Sequence, residues 1–209
     1  TTTYFLDRLK TVKIINNPTA IRNISEKLFS YEFKKYMPPY IFTSRISDIR
    51  EFLKKNKHII IKPIHSYGGN SIKQIKNKIN KNFLIKYLKK HNYVMCQKFL
   101  PGIVDGDKRV FIINGKIKGS ISRVPKKGSI LSNLGKGGTA IVSKLSKKEK
   151  FISIKVAKKL KQEGIYFAGI DFISEELNGD INVTSPTGLK NYFDLTGINL
   201  AKIFWKEIT

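Results

Sequence analysis

The chain has 209 residues, 41% hydrophobic and 11% aromatic, enough to bury a core in one domain or in two small subdomains, which excludes a disordered chain. Its formal net charge is +25, yet only six of the 40 basic residues are arginines, so the excess is lysine spread along the chain, a compositional bias and not a dedicated phosphate-reading surface. One cysteine, Cys96, excludes an internal disulfide framework and fits a reducing, cytoplasmic setting; no apolar run reaches the length of a membrane span, and TTTYFLDRLKTVKIINNPTA lacks a signal-peptide pattern.

In chain order, PTAIRNISEKLFSYEFKKYM predicts a helix, with Leu28, Phe29 and Phe33 at helical spacing and Pro38-Pro39 as its stop. YIFTS predicts a short strand, and SDIREFLKKN a helix with acids in its first turn and lysines in its last. HIIIKP is a β-branched buried strand, HSYGGNS a glycine turn, and SIKQIKN alternates like a strand. KNFLIKYLKKH is helical and YVMCQKFL is a strand.

In the second half, Asn114-Gly115 between alternating runs predicts a type I′ hairpin. KKGSILSNLGKGGTA is glycine-rich and aperiodic, which predicts a mobile loop. SKKEKFISIKVAKKLKQEG carries a capping box, Ser146 with Glu149, and stops at Gly164. A further hairpin and a last helix, INLAKIFWKEI, end the chain. Regular βαβ alternation is missing, so the expectation is α+β: two halves with largely antiparallel sheets, meeting near residue 100 around a cleft.

Residues 170–186, IDFISEELNGDINVTSP, hold four of only 15 acidic residues. If GIDFI and DINVT are paired strands across SEELNG, alternation puts Asp180, Asn182 and Thr184 on one face and lets Asp171 join them. Two readings fit: a hairpin with one wet side, or an oxygen-only Mg²⁺ site of two carboxylates and an amide. Lys62 ends a buried strand before Gly68-Gly69, a turn tight enough for backbone N–H groups to approach phosphate, although it matches neither a Walker A loop nor GxGxxG. Arg109 and Arg123 are candidates for clamping carboxylate or phosphate. Plain register across the Asn114-Gly115 turn sets Ser122, not Arg123, opposite Asp107, so their convergence requires a bulge. None of His58, His65 and His91 has a partner at catalytic spacing.

Taken in order, NPTAIRNISEKLF, IIIKP with GGNSI, PGIVDGDKRV, SRVP, SNLGKGGT, FAGIDFI and INVTSPTG resemble bacterial glutathione synthetase, an ATP-grasp ligase, over nearly the whole chain. The resemblance implies a fold in which two α+β subdomains grip ATP in the cleft between them. Residues 1–20 would be the remnant of a link to an absent N-terminal domain, 21–100 the small subdomain, and 101–209 the C-terminal subdomain with a lid at 125–140.

It implies that Lys27 and Lys62, from the small subdomain, contact ATP phosphates under the Gly68-Gly69 turn, and that Gln97, Lys98, Phe99 and Leu100 form the hinge strand whose backbone reads adenine. Asp107 would lie near the nucleotide. Arg109 and Arg123 would hold the dipeptide and act in catalysis with Asn133, while Ser185, Pro186 and Thr187 would line the substrate site. Asp171, Asp180 and Asn182 would hold Mg²⁺ or Mn²⁺ bridging the ATP phosphates. The implied reaction joins γ-glutamylcysteine to glycine: the cysteinyl carboxylate attacks the γ-phosphate, and glycine's amine then displaces phosphate from the acylphosphate. No specific nucleic acid or membrane partner is implied, and any homo-oligomer would form through the N-terminal domain.

Three departures accompany the resemblance. Asp180 stands where the family has Glu, after a turn one residue longer; Leu131 replaces a lid arginine; and the N-terminal domain is missing, so a fragment is one expectation. Other expectations are a related acid–amine ligase and a non-enzymatic polyanion-binding module with steep salt dependence.

Overall fold

The computed structural model describes residues 2–66, 69 and 71–208, and the chain divides into two units, Met37–Pro101 and the combination of Thr1–Tyr36 with Gly102–Thr209. Chain order begins with α1 (Thr2–Leu6), α2 (Pro18–Asn23), a 3-10 segment at Leu28–Tyr36, β1 (Tyr40–Thr43), α3 (Ile46–Asn56), β2 (His58–Pro63) and β3 (Lys73–Lys76). Next come α4 (Lys81–His91), β4 (Val94–Lys98), β5 (Asp107–Ile113), β6 (Lys116–Val124) and β7 (Thr139–Val142). The chain finishes with α5 (Lys147–Gln162), β8 (Phe167–Ile173), β9 (Glu176–Asn182), α6 (Leu189–Thr196) and α7 (Leu200–Ile208).

Met37–Pro101 forms an antiparallel sheet in the order β1-β4-β2-β3. Ile49, Phe52 and Leu53 of α3 and Leu84, Tyr87 and Leu88 of α4 recur at helical spacing and bury against Ile59, Ile61, Ile75, Val94 and Cys96. Asn80 caps α4 by accepting from the Asn82 and Phe83 amides. Because side chains alternate, Lys62 and Gln97 lie on the face away from these helices, and both are buried.

The other unit carries the sheet β7-β6-β5-β8-β9. On one face lies α5, whose Ile152, Val156 and Leu160 are fully buried, each worth about 1.5–3 kcal/mol. Its capping box forms as predicted, and Glu149 also receives Lys108 Nζ of β5 at 2.7 Å. Helices α6 and α7 cover the opposite face through Phe111, Ile121, Tyr192 and Leu200. Gly119 permits this packing, since a Cβ there would come within 2.5 Å of the Tyr192 ring. Among the described residues no helix is long and apolar enough to cross a membrane.

Several expectations are corrected. The helix predicted over residues 18–37 breaks after α2, because Ser25–Lys27 runs along the outer edge of β9, where the Glu26 carbonyl accepts the Ile181 amide at 2.9 Å. Residues up to Tyr36 therefore cluster with the second half of the chain, so Lys27 belongs there and not with Lys62. The β8–β9 turn is not SEELNG but Ser174-Glu175, both at positive φ, and Glu176 begins β9 in place of lying in the turn. Thr184 lies beyond the strand. The loop KKGSILSNLGKGGTA is anchored, with a short 3-10 turn at Leu134–Lys136 and its end in β7. Helices α1 and α6 were not anticipated; α1 is five residues long, too short to show a period.

The bulge required at the β5–β6 hairpin is present. Register shifts between Phe111 and Ile112, with Phe111 opposite Gly119 and Ile112 opposite Ile117, so Lys118 is the extra residue. Arg123 thereby stands opposite Asp107.

Candidate functional site

Alternation sends Asp107, Arg109 and Phe111 of β5 to the α6–α7 face, and cross-strand partners share a face. Asp107 is paired with Arg123 on one side of β5, and Arg109 with Asp171 on the other. Arg123 donates to Asp107 through Nε at 2.7 Å and NH2 at 2.5 Å. Arg109 grips Asp171 through Nε at 2.5 Å and NH2 at 2.8 Å, and Arg123 reaches the same carboxylate at 2.9 Å. Four charges that sum to zero are thus buried together, in fork geometries that only arginine provides.

Burial alone would push the Asp171 carboxyl up, but the Arg109 and Arg123 guanidinia outweigh it and hold it at about 2. Asp107 goes the other way: burial raises it, Arg123 offsets only part, and the Asp171 charge adds to the rise. Burial would lower Arg123, yet Asp171 and Asp107 together raise it further above its already high value, so it stays charged.

Gly169 of β8 makes room for this cluster. A Cβ there would stand 2.9 Å from both Arg109 Cδ and Pro186 Cβ. The segment after β9 therefore lies against the Arg109 stem, and Arg109 NH1 reaches the Thr187 carbonyl at 3.4 Å. Asn182 fixes the start of that segment by accepting from the Ser185 amide at 3.1 Å. Pro186 and Thr187 are thus brought beside Arg109, with Ser185 tied to Asn182.

Asp180 and Asn182 line the same face of β9, as alternation predicts, and Asn182 is paired opposite Gly169. Between Ile170 and Phe172 the register slips, so Asn178, Gly179 and Asp180 together face the single Asp171. Lys27, buried, lies 3.4 Å from Asp180, which is partly exposed. Among the described residues no three of His, Cys, Asp and Glu form a metal-holding group.

Glu26 was missed by sequence reasoning. Its carboxylate accepts the Thr184 hydroxyl at 2.9 Å. Burial raises its carboxyl; Thr184 and Lys27 oppose the rise and Asp180 adds to it. Its only sequence signal was adjacency to Lys27. Ser132 is buried. Asn133, next to it, caps the short 3-10 turn by accepting from the Gly135 amide at 2.8 Å.

In Met37–Pro101, Lys62 and Gln97 share a sheet face, as described. The Lys98 amide donates to the Pro39 carbonyl at 2.8 Å and the Phe99 amide to the His58 carbonyl at 3.0 Å, so both are committed inside the unit. Phe99 also stacks on His58, with ring centroids 3.9 Å apart. Gly69 lies in a turn at φ 71°, and Gly68 lies outside the described residues.

Residues 26–197 match the family model of the prokaryotic glutathione synthetase ATP-grasp domain. The chain belongs to this family. It is 39% identical over 184 residues to a glutathione synthetase of Prochlorococcus marinus, an alignment covering 87% of this chain and 60% of the relative. With the glutathione synthetase of Bradyrhizobium diazoefficiens it shares 34% identity over 215 residues, covering 100% of this chain and 67% of the relative. The chain therefore spans about 60 to 67% of the length of these curated relatives. A solved structure of the ATP-grasp ligase PsnB with a phosphomimetic variant of its minimal precursor, Mg and ADP superposes with a TM-score of 0.70 at 16% identity, covering 97% of this chain and 64% of that one. At that identity the likeness shows the fold, and the fold is ATP-grasp: two antiparallel sheets with helices, α+β as anticipated.

Proposed function

We propose that this ATP-grasp domain serves an ATP-dependent ligase that joins γ-glutamylcysteine to glycine, releasing ADP and phosphate. The observation that carries the reading is the buried Arg109–Asp171–Arg123–Asp107 cluster on the sheet face that also bears Asp180 and Asn182. Such a cluster costs desolvation on folding, and it holds two guanidinium groups preorganised on that face.

The donor set suits a hard divalent cation. Asp180, Asn182 and Asp171 offer only oxygen, and Asp171 has a lone-pair site left after its three arginine hydrogen bonds. Asp180 and Asn182 would be the principal ligands of Mg²⁺ or Mn²⁺, which when bound would draw charge from the ATP phosphates. The remaining work falls to side chains. Arg109 and Arg123, fixed by their carboxylates, would orient the acid substrate's carboxylate, with the segment Ser185–Thr187 beside it. Lys27 and Lys62 would hold phosphate oxygens. Since the Lys98 and Phe99 amides are committed, adenine would be read by the Leu100 N–H and by carbonyls of residues 97–100. The segment 125–140, with Asn133, would exclude water from the acylphosphate.

The test is ADP release by the purified protein with each acid and amine. Release that requires γ-glutamylcysteine and glycine together is expected; release only with other acid–amine pairs would overturn the reading in favour of a related ligase.

A further inference from the structure

β9 leaves the ladder after Asn182, while β8 opposite it still has Ala168 and Phe167 to offer. Gly169 is paired with Asn182, so an unbroken antiparallel ladder would set Phe167 opposite Thr184. A side chain from elsewhere in the chain holds that place.

It is Asn16. Its Nδ2 donates to the Phe167 carbonyl at 2.7 Å, and its Oδ1 accepts the Phe167 amide at 2.8 Å. These are the two bonds that a facing residue exchanges in a hydrogen-bonded antiparallel pair. A carboxamide can make both, because it carries the N–H and C=O of a peptide group. Nδ2 also donates to the Val183 carbonyl at 2.8 Å, and Oδ1 accepts the Tyr166 amide at 2.8 Å. Every hydrogen-bonding position of this buried side chain is thus filled.

Out of the ladder, Thr184 gives its hydroxyl to Glu26 at 2.9 Å, and the Ser185 amide goes to Asn182 at 3.1 Å. The chain then crosses the sheet face: Pro186 Cβ lies 2.9 Å from where a Gly169 Cβ would stand, and the Thr187 carbonyl meets Arg109 NH1 at 3.4 Å. Asn182 keeps its own ladder place opposite Gly169, so it is held without Asn16.

We infer that Asn16 is a positioning residue: its carboxamide occupies the ladder place of Thr184 and so turns residues 183–187 toward Arg109, where the acid substrate is held. The substrate part of this inference rests on the function proposed above; the ladder part does not. The segment before α2, expected from the sequence to be only a link, thereby becomes part of the frame of the site.

The test uses Asn16→Asp in the full chain, which keeps the acceptor oxygen and sets a second oxygen against the Phe167 and Val183 carbonyls. Glu149→Ala, which destabilises from the other face of the same sheet, is the comparison. Hydrogen exchange over residues 183–189 should run about tenfold faster in Asn16→Asp than in Glu149→Ala, as for the loss of about one net hydrogen bond, with β5 alike in both. Exchange no faster than in Glu149→Ala would overturn the ladder role. With active protein, Asn16→Asp should raise KM for γ-glutamylcysteine severalfold and leave KM for ATP little changed, while Glu149→Ala moves neither. Parallel rises in both KM values, or the same rise in Glu149→Ala, would mark a merely structural residue and overturn the positioning role. Should Asn16→Asp not fold, Asn16→Ala, which sets no oxygen against the carbonyls, is measured in the same way; failure of both to fold would make Asn16 a folding residue alone and overturn the inference. A parent protein that does not join γ-glutamylcysteine to glycine would refute the functional reading, while the exchange comparison would still decide the ladder role.

Discussion

Arg123 on β6 donates twice to Asp107, directly opposite on β5, and extends past it to Asp171 on β8 at 2.9 Å. One guanidinium thus ties three neighbouring strands on one face. Every member of this network is buried, so the loss of any one leaves an uncompensated charge.

The first prediction concerns acid stability. Asp171 is held at about 2, below its ordinary 3.8, so its contribution is present above pH 3.8 and is lost as pH falls toward 2. Asp171→Asn should cost about 3 kcal/mol near neutral pH. That deficit should shrink by about 2 kcal/mol between pH 5 and pH 2, where the parent loses the same charge. Asp107 partly opposes this trend, because its raised carboxyl favours the folded state at lower pH. Urea midpoints of both proteins across that range check the closing gap; a constant gap would contradict it.

Asp180→Ala should leave the fold intact, since Asp180 lies at the partly exposed end of its pairing with Lys27. Calorimetric titration with ATP should show affinity weakened more than about tenfold in the presence of Mg²⁺ and little changed without it, as expected for a lost ligand oxygen. Equal Mg·ATP affinity in the two proteins would remove Asp180 from the metal site.

Gly169→Ala places a methyl 2.9 Å from Arg109 Cδ and Pro186 Cβ. Ordinary strand backbone accepts alanine, so the strain falls on those two groups. About 1–3 kcal/mol of destabilisation is expected, with a larger relative loss in affinity for the acid substrate than for ATP. Denaturation and substrate titrations of the same sample separate the two effects.

Glu149→Ala removes the capping-box carboxylate of α5 together with the 2.7 Å ion pair to Lys108. Thermal unfolding should reveal a loss of about 2 kcal/mol, while ATP affinity stays unchanged, because Lys108 points to the face away from Asp107 and Arg109. Glu149→Gln, which can keep the bond from the Ser146 amide, should lose less.

Local periodicity was enough to read most strands, α3 to α5 and the face shared by Asp180 and Asn182. What escaped it depends on contacts far apart in sequence. The break after α2 is caused by the amide of Ile181, and nothing near Ser25 announces that partner. Asp171 could be placed on the right face, but alternation cannot say that both of its oxygens go to arginines on β5 and β6. The segment 125–140 looked loose because its glycines are conspicuous, while its anchor, Leu134, is an ordinary residue.

Lys118 is the odd residue that makes the β5–β6 pairing uneven, and its ammonium is tethered to Glu207 of α7. Its exclusion from the ladder decides parity for everything downstream on β6. Were Lys118 to take a regular place in the ladder opposite Phe111, Ser122 would stand opposite Asp107 and Arg123 would be aimed toward α5, on the wrong side of the sheet from both carboxylates. The chemistry at one end of the strand is therefore set by one unpaired residue near the other end, at a place that no substrate needs to touch.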